Sequence, residues 1–185
     1  MRASHGAAWR VRIRAAAAVA ILGAIVSSCS DTTSQDITQM TCPRVIAAPG
    51  TDTIALFRPG GHSAQDVMVR GKIYQASVHC ETEKTGVAAH AELTFYAERA
   101  GLQITDATLP YFVAVVDPTQ KVLAQEGFHV HVDFLPGEPY RKLPAEKITI
   151  HLPVHSTAAA SNYAVVVGFQ LTPDQLAYNR SSRTQ

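Results

Sequence analysis

The sequence predicts an all-β fold, a single antiparallel β-sandwich, on three observations. Apolar residues recur with period two from residue 42 onward, turn-forming residues separate the runs at short intervals, and no long stretch carries a helical period. The clearest run places Val87, Ala89, Ala91, Leu93, Phe95 and Ala97 on one face and His90, Glu92, Thr94, Tyr96 and Glu98 on the other, as a half-buried strand requires.

The remaining strands follow in order. Arg44–Ala47 and Thr53–Phe57 are short pieces at the start. Val67, Val69 and Ile73 then alternate, after which the apolar parity moves to Ala76, Val78 and Cys80, the signature of one inserted residue. Cys80 therefore faces inward. Tyr111–Val116 is apolar on both faces, as a central strand is, and Asp117-Pro118-Thr119-Gln120 offers a type I turn with Pro at its second position. Val122, Ala124, Phe128, Val130, Val132 and Phe134 share one parity and complete a hairpin. Ile148–Leu152 and Tyr163–Leu171 close the list, with a small-residue loop, His155–Asn162, between them.

These runs make about seven strands in a single domain, which points to a sandwich of immunoglobulin-like type, with a closed barrel as the alternative. The likeness is architectural only, because Trp9, the one tryptophan, lies outside the domain. Thr172-Pro173-Asp174-Gln175 sets a capping box and a Pro at the first helical position, so a short C-terminal helix is predicted. The domain is taken as residues 42–180, with 181–185 as a disordered tail.

Ahead of the domain stands an address. Four arginines end at Arg14, an apolar run covers Ala15–Val26, and Ser27-Ser28 precede Cys29. Twelve helical residues reach roughly 18 Å, short of the roughly 30 Å hydrocarbon core, so residues 1–28 read as a signal peptide rather than a permanent span. Val26-Ser27-Ser28-Cys29 resembles the bacterial lipobox, which implies acylation of Cys29 and a membrane anchor made of more than one chain. By the sorting rule known for enterobacterial lipoproteins, Ser30 rather than Asp after the Cys points to the outer membrane. The polar residues up to position 41 read as a tether.

Charge and cysteines agree with an envelope location. Sixteen basic residues less the four leader arginines leave 12 against 15 acidic ones, a net charge of −3, and no basic run supports nucleic-acid binding. With Cys29 acylated, Cys42 and Cys80 remain as a disulfide pair in an oxidising compartment; two separate thiols are the alternative.

Chemistry is sparse. His129 and His131 project to one side of their strand, and His151 joins them if its strand pairs with theirs, a set suited to zinc or copper. No acid stands at fixed ligand spacing beside them, so no metal or cofactor is assigned. His79, next to Cys80, points to the opposite face from it. No nucleophile elbow, zinc-protease, phosphate-loop, dinucleotide or C-x-x-C motif occurs, and no enzyme is predicted. Arg58-Pro59-Gly60-Gly61-His62 reads as a strand connection before it reads as an anion loop. Tyr96 is the tyrosine best placed on an outer face for stacking, and Tyr140, in the three-proline stretch Leu135–Pro144, marks the first choice for a partner-contacting segment.

The segments Cys42-Pro43-Arg44-Val45, Phe57-Arg58-Pro59-Gly60, Pro110 to Pro118 and Val167 to Asn179 resemble an uncharacterised group of alphaproteobacterial lipoproteins. The resemblance implies a secreted, acylated, single-domain protein and brings no catalytic residue. The expectation is an envelope lipoprotein facing the periplasm, a non-catalytic binding or assembly module for another envelope protein. A zinc- or copper-binding lipoprotein is the alternative.

Overall fold

The computed structural model describes residues 42–182, so the expected signal peptide at 1–28, Cys29 and the expected tether up to residue 41 lie outside the described residues. Nine strands form two sheets packed as a sandwich. In the first sheet, β1 (Arg44–Ala47) runs parallel to β9 (Ala164–Phe169), which pairs antiparallel with β5 (Asp106–Val116) and through it reaches β6 (Val122–Asp133). The second sheet joins β2 (Thr53–Phe57), β3 (Val67–Glu83) and β4 (Gly86–Arg99) in antiparallel order. Two short strands, β7 (Tyr140–Lys142) and β8 (Glu146–Leu152), share the far edge of β4.

The period-two pattern is realised along β4, where Val87, Ala89, Ala91, Leu93, Phe95 and Ala97 are all buried while His90, Glu92, Thr94, Tyr96 and Glu98 on the other face reach solvent; Ala88 on that face is covered. The parity shift in β3 is a bulge at Tyr74, skipped between the pairs Ile73–Phe95 and Gln75–Thr94. Beyond it the register continues without interruption to a two-residue turn, Lys84-Thr85. β5 is central in its sheet, and its second face is also partly covered, with Phe112 and Val116 half-buried and Ala114 buried. Its inward Tyr111 packs against Phe95, with ring centroids 4.9 Å apart, and burial pushes the phenol up to about 12, helped by the charge of Glu146. Phe169 closes the cluster 5.8 Å from Phe95.

The C-terminal helix α2 (Pro173–Ser182) starts on the expected cap. The Thr172 N–H donates to Gln175 Oε1 at 2.8 Å, and the Gln175 N–H donates to Thr172 Oγ1 at 3.2 Å. Two buried amides dock the helix, Gln175 donating to the Ala55 carbonyl and Asn179 to those of Gly50 and Thr53. The helix takes in Ser181 and Ser182, two residues assigned to the tail from sequence, because both hydroxyls bond the Tyr178 carbonyl and extend its end. Among the described residues no helix is long and apolar enough to cross a membrane.

Three local differences from the sequence reading have physical causes. β7 forms inside the proline-rich connection, since Tyr140–Lys142 holds no proline and meets the open edge of β4. Ser156 caps a single helical turn, α1 (Thr157–Ala160), within the loop of small residues. In β6, Val122 and Ala124 stay exposed although their parity matched the core; β6 is an edge strand, and a bulge skips Leu123 between the pairs Val115–Ala124 and Val116–Val122.

Candidate binding surfaces

Cys42 and Cys80 lie within disulfide-bonding distance, with Cα atoms 5.6 Å apart. Both are half-buried, and the pair brings the start of the domain beside β3.

On the outer face of the second sheet, the bulge at Tyr74 and the pairing of β7 with β4 collect three tyrosines. Tyr96 and Tyr140 stack with centroids 5.9 Å apart and planes 22° from parallel, and Lys142 Nζ sits 4.5 Å above the Tyr74 ring. Tyr74 and Tyr140 are each 57% exposed. The two tyrosines singled out from sequence therefore share one platform. Tyr74 also lies on the outer face, where the alternation of Val67–Ile73 already places even-numbered residues, and the bulge leaves it without a partner on β4 beside the other two. The platform borders a hollow of about 790 Å³ that the loop Gly137–Pro139 helps to line.

A second hollow, about 390 Å³, is lined by edge strands β6 and β8, which belong to different sheets and do not pair. Val113, Val115, Phe128, Ile148 and Ile150 line its floor, and Glu126 and His151 stand among its polar residues.

The histidines divide differently from the sequence expectation. His129 and His131 do project together from β6, and His131 contacts Asp133 at 3.1 Å and Thr108 at 3.3 Å. β8, however, pairs with β4 in the other sheet, so His151 is not brought beside them through strand pairing and the expected three-histidine set is not assembled that way. His151 instead lies 3.4 Å from Glu83. His79 of β3 and His90 of β4 are direct cross-strand partners whose rings stack with centroids 5.0 Å apart.

The Arg58–His62 stretch is a connection, as its glycines suggested, and its donors are turned onto the chain itself. Asp66 accepts the N–H groups of His62 and Ser63 and the Ser63 hydroxyl, and ion-pairs with Arg58. The Ser63 hydroxyl and N–H, then Arg58, hold the Asp66 carboxyl well below the usual range. An external anion would have to displace that carboxylate.

The fold and these surfaces thus define a β-sandwich with a cysteine pair at disulfide distance and an aromatic outer platform. Comparison with protein-family models, with curated proteins and with solved structures finds no match.

Proposed function

We propose that this chain is a lipid-anchored protein of the bacterial envelope, held through Cys29, whose sandwich faces the periplasm and serves as a non-catalytic binding or assembly module for another envelope protein. The observation that carries the binding role is the platform of Tyr74, Tyr96 and Tyr140. Tyrosine brings a large apolar face and a polar tip at low entropic cost, and such residues dominate recognition surfaces. Here two of the three residues are more than half exposed, and all three stand on strands of one sheet. The lipobox-like Cys29, the resemblance to lipoproteins and the disulfide pair support the address. Outer-membrane placement follows from Ser30 under the enterobacterial rule.

A photo-crosslinking residue placed at Tyr140 in cells tests the proposal. The expected result is reproducible capture of one envelope protein that is lost in a Tyr74→Ser/Tyr96→Ser background and not seen from Lys121, far along the chain in an exposed turn. Equal capture from both positions, or no specific product across repeats, contradicts it.

A further inference from the structure

The hairpin of β3 and β4 puts two imidazoles and a carboxylate on one exposed patch. His79 and Glu81 are two apart on β3 and so share its outer face, and His90 stands opposite His79 on β4. One donor atom from each of the three lies within 4.8 Å of the others. We infer that His79, Glu81 and His90 form a binding site for a divalent transition-metal ion, Zn²⁺ or Cu²⁺.

The chemistry of the donors favours such an ion. Imidazole with carboxylate suits zinc and copper, whereas calcium and magnesium take oxygen donors. A tetrahedral ion with donor bonds of about 2.0–2.1 Å needs donors about 3.3 Å apart, so side-chain rotation has to bring these atoms closer by at most about 1.5 Å. Three protein ligands leave the fourth position to water. The site is also built to stay in place. Cys80, between His79 and Glu81 and facing inward, is the residue paired with Cys42, so the backbone carrying both ligands is pinned from beneath. Thr149 Oγ1 lies 3.1 Å from His90 Nδ1, which orients the ring and leaves Nε2 for a metal, the arrangement of an outer-shell partner. Lys147, the nearest cation lining the same hollow, is turned to Glu92 at 3.5 Å.

The test is calorimetry with Zn²⁺ and Cu²⁺ salts on the full chain, purified in detergent without a polyhistidine tag. One equivalent should bind. His79→Ala and His90→Ala should each weaken it by about tenfold or more, in the range lost when metal-site partners are removed. Glu81→Gln, which keeps the side chain's shape, should weaken it as well, and His129→Ala/His131→Ala should leave it unchanged. No stoichiometric binding by the wild type overturns the inference. So does wild-type affinity in the His79 and His90 variants, or loss of binding in the His129/His131 variant. None of these outcomes depends on the crosslinking result.

Discussion

Arg99→Met removes, at one position, the donors that hold two loops together. Arg99 is only 4% exposed, ends β4 on its inward parity, and donates to the carbonyls of Leu102 and Ile104 from one connection and of Leu135 and Glu138 from another. Its guanidinium also lies 5.2 Å from the Phe134 ring. Hydrogen bonds to a charged donor are worth about 1.5–3 kcal/mol each, so four would sum to roughly 6–12 kcal/mol if nothing replaced them. Two terms reduce the figure. Leu102, Leu135 and Glu138 are exposed residues whose carbonyls water can reach, and removing the cation also removes its burial cost of several kcal/mol. The expected net loss is about 2–4 kcal/mol. For a domain of this size the unfolding entropy is roughly 0.3 kcal/mol per degree, so Tm should fall by about 7–14 °C in a thermal melt followed by circular dichroism. Arg99→Lys keeps the charge but not the planar fork and should recover only part of the loss. A fall under about 1 kcal/mol for Arg99→Met would refute the account, since it would mean water already serves those carbonyls.

Other substitutions give further expected outcomes. Closing the 38-residue separation between Cys42 and Cys80 should contribute about 4 kcal/mol on the chain-entropy model, so Cys42→Ser/Cys80→Ser should unfold at much lower denaturant with its fold retained; an unchanged midpoint would mean the thiols are not joined. Gln120 follows the Asp117 turn with φ of 67°, left-handed backbone that glycine adopts without strain, so Gln120→Gly should stabilise by about 1 kcal/mol in the same assay, and destabilisation would contradict that geometry. Because the folded pKa of Asp66 is depressed, its contribution to stability is present above the unfolded value of about 3.9 and is lost as pH falls through the lower folded one. Carboxyl-carbon NMR should therefore show Asp66 still ionised where an ordinary aspartate has titrated, and Asp117, held down by the Thr119 hydroxyl and the Lys121 N–H, should shift the same way.

The parts of this fold that could be read from sequence are those fixed by near neighbours. The alternation along β4, the Pro118 turn and the reciprocal bonds of Thr172 and Gln175 each depend on a few adjacent residues, and each is formed as the pattern requires. The surfaces were harder because they depend on pairing. Arg99 occupies an inward parity that alternation marks as apolar, and only the loops on either side explain how a cation is accommodated there. Tyr96 and Tyr140 could be singled out one at a time, but their meeting requires β7, a strand of three residues whose surrounding prolines hide it. His129, His131 and His151 looked like a set because their parities matched; sheet membership, which parity does not encode, separates them. The opposition of His79 and His90 did have a local signal. A two-residue turn at Lys84-Thr85 fixes the hairpin register, and that register places residue 79 across from residue 90.

Intact-mass measurement of the protein extracted from cell membranes, before and after reduction, tests the envelope reading most directly. The account predicts a chain that begins at Cys29, carries the added mass of acyl groups, and gains the mass of two hydrogens when Cys42 and Cys80 are reduced. A chain without acyl mass, or one that enters detergent-free buffer with the soluble fraction, would contradict the anchor and with it the proposed place of the binding module.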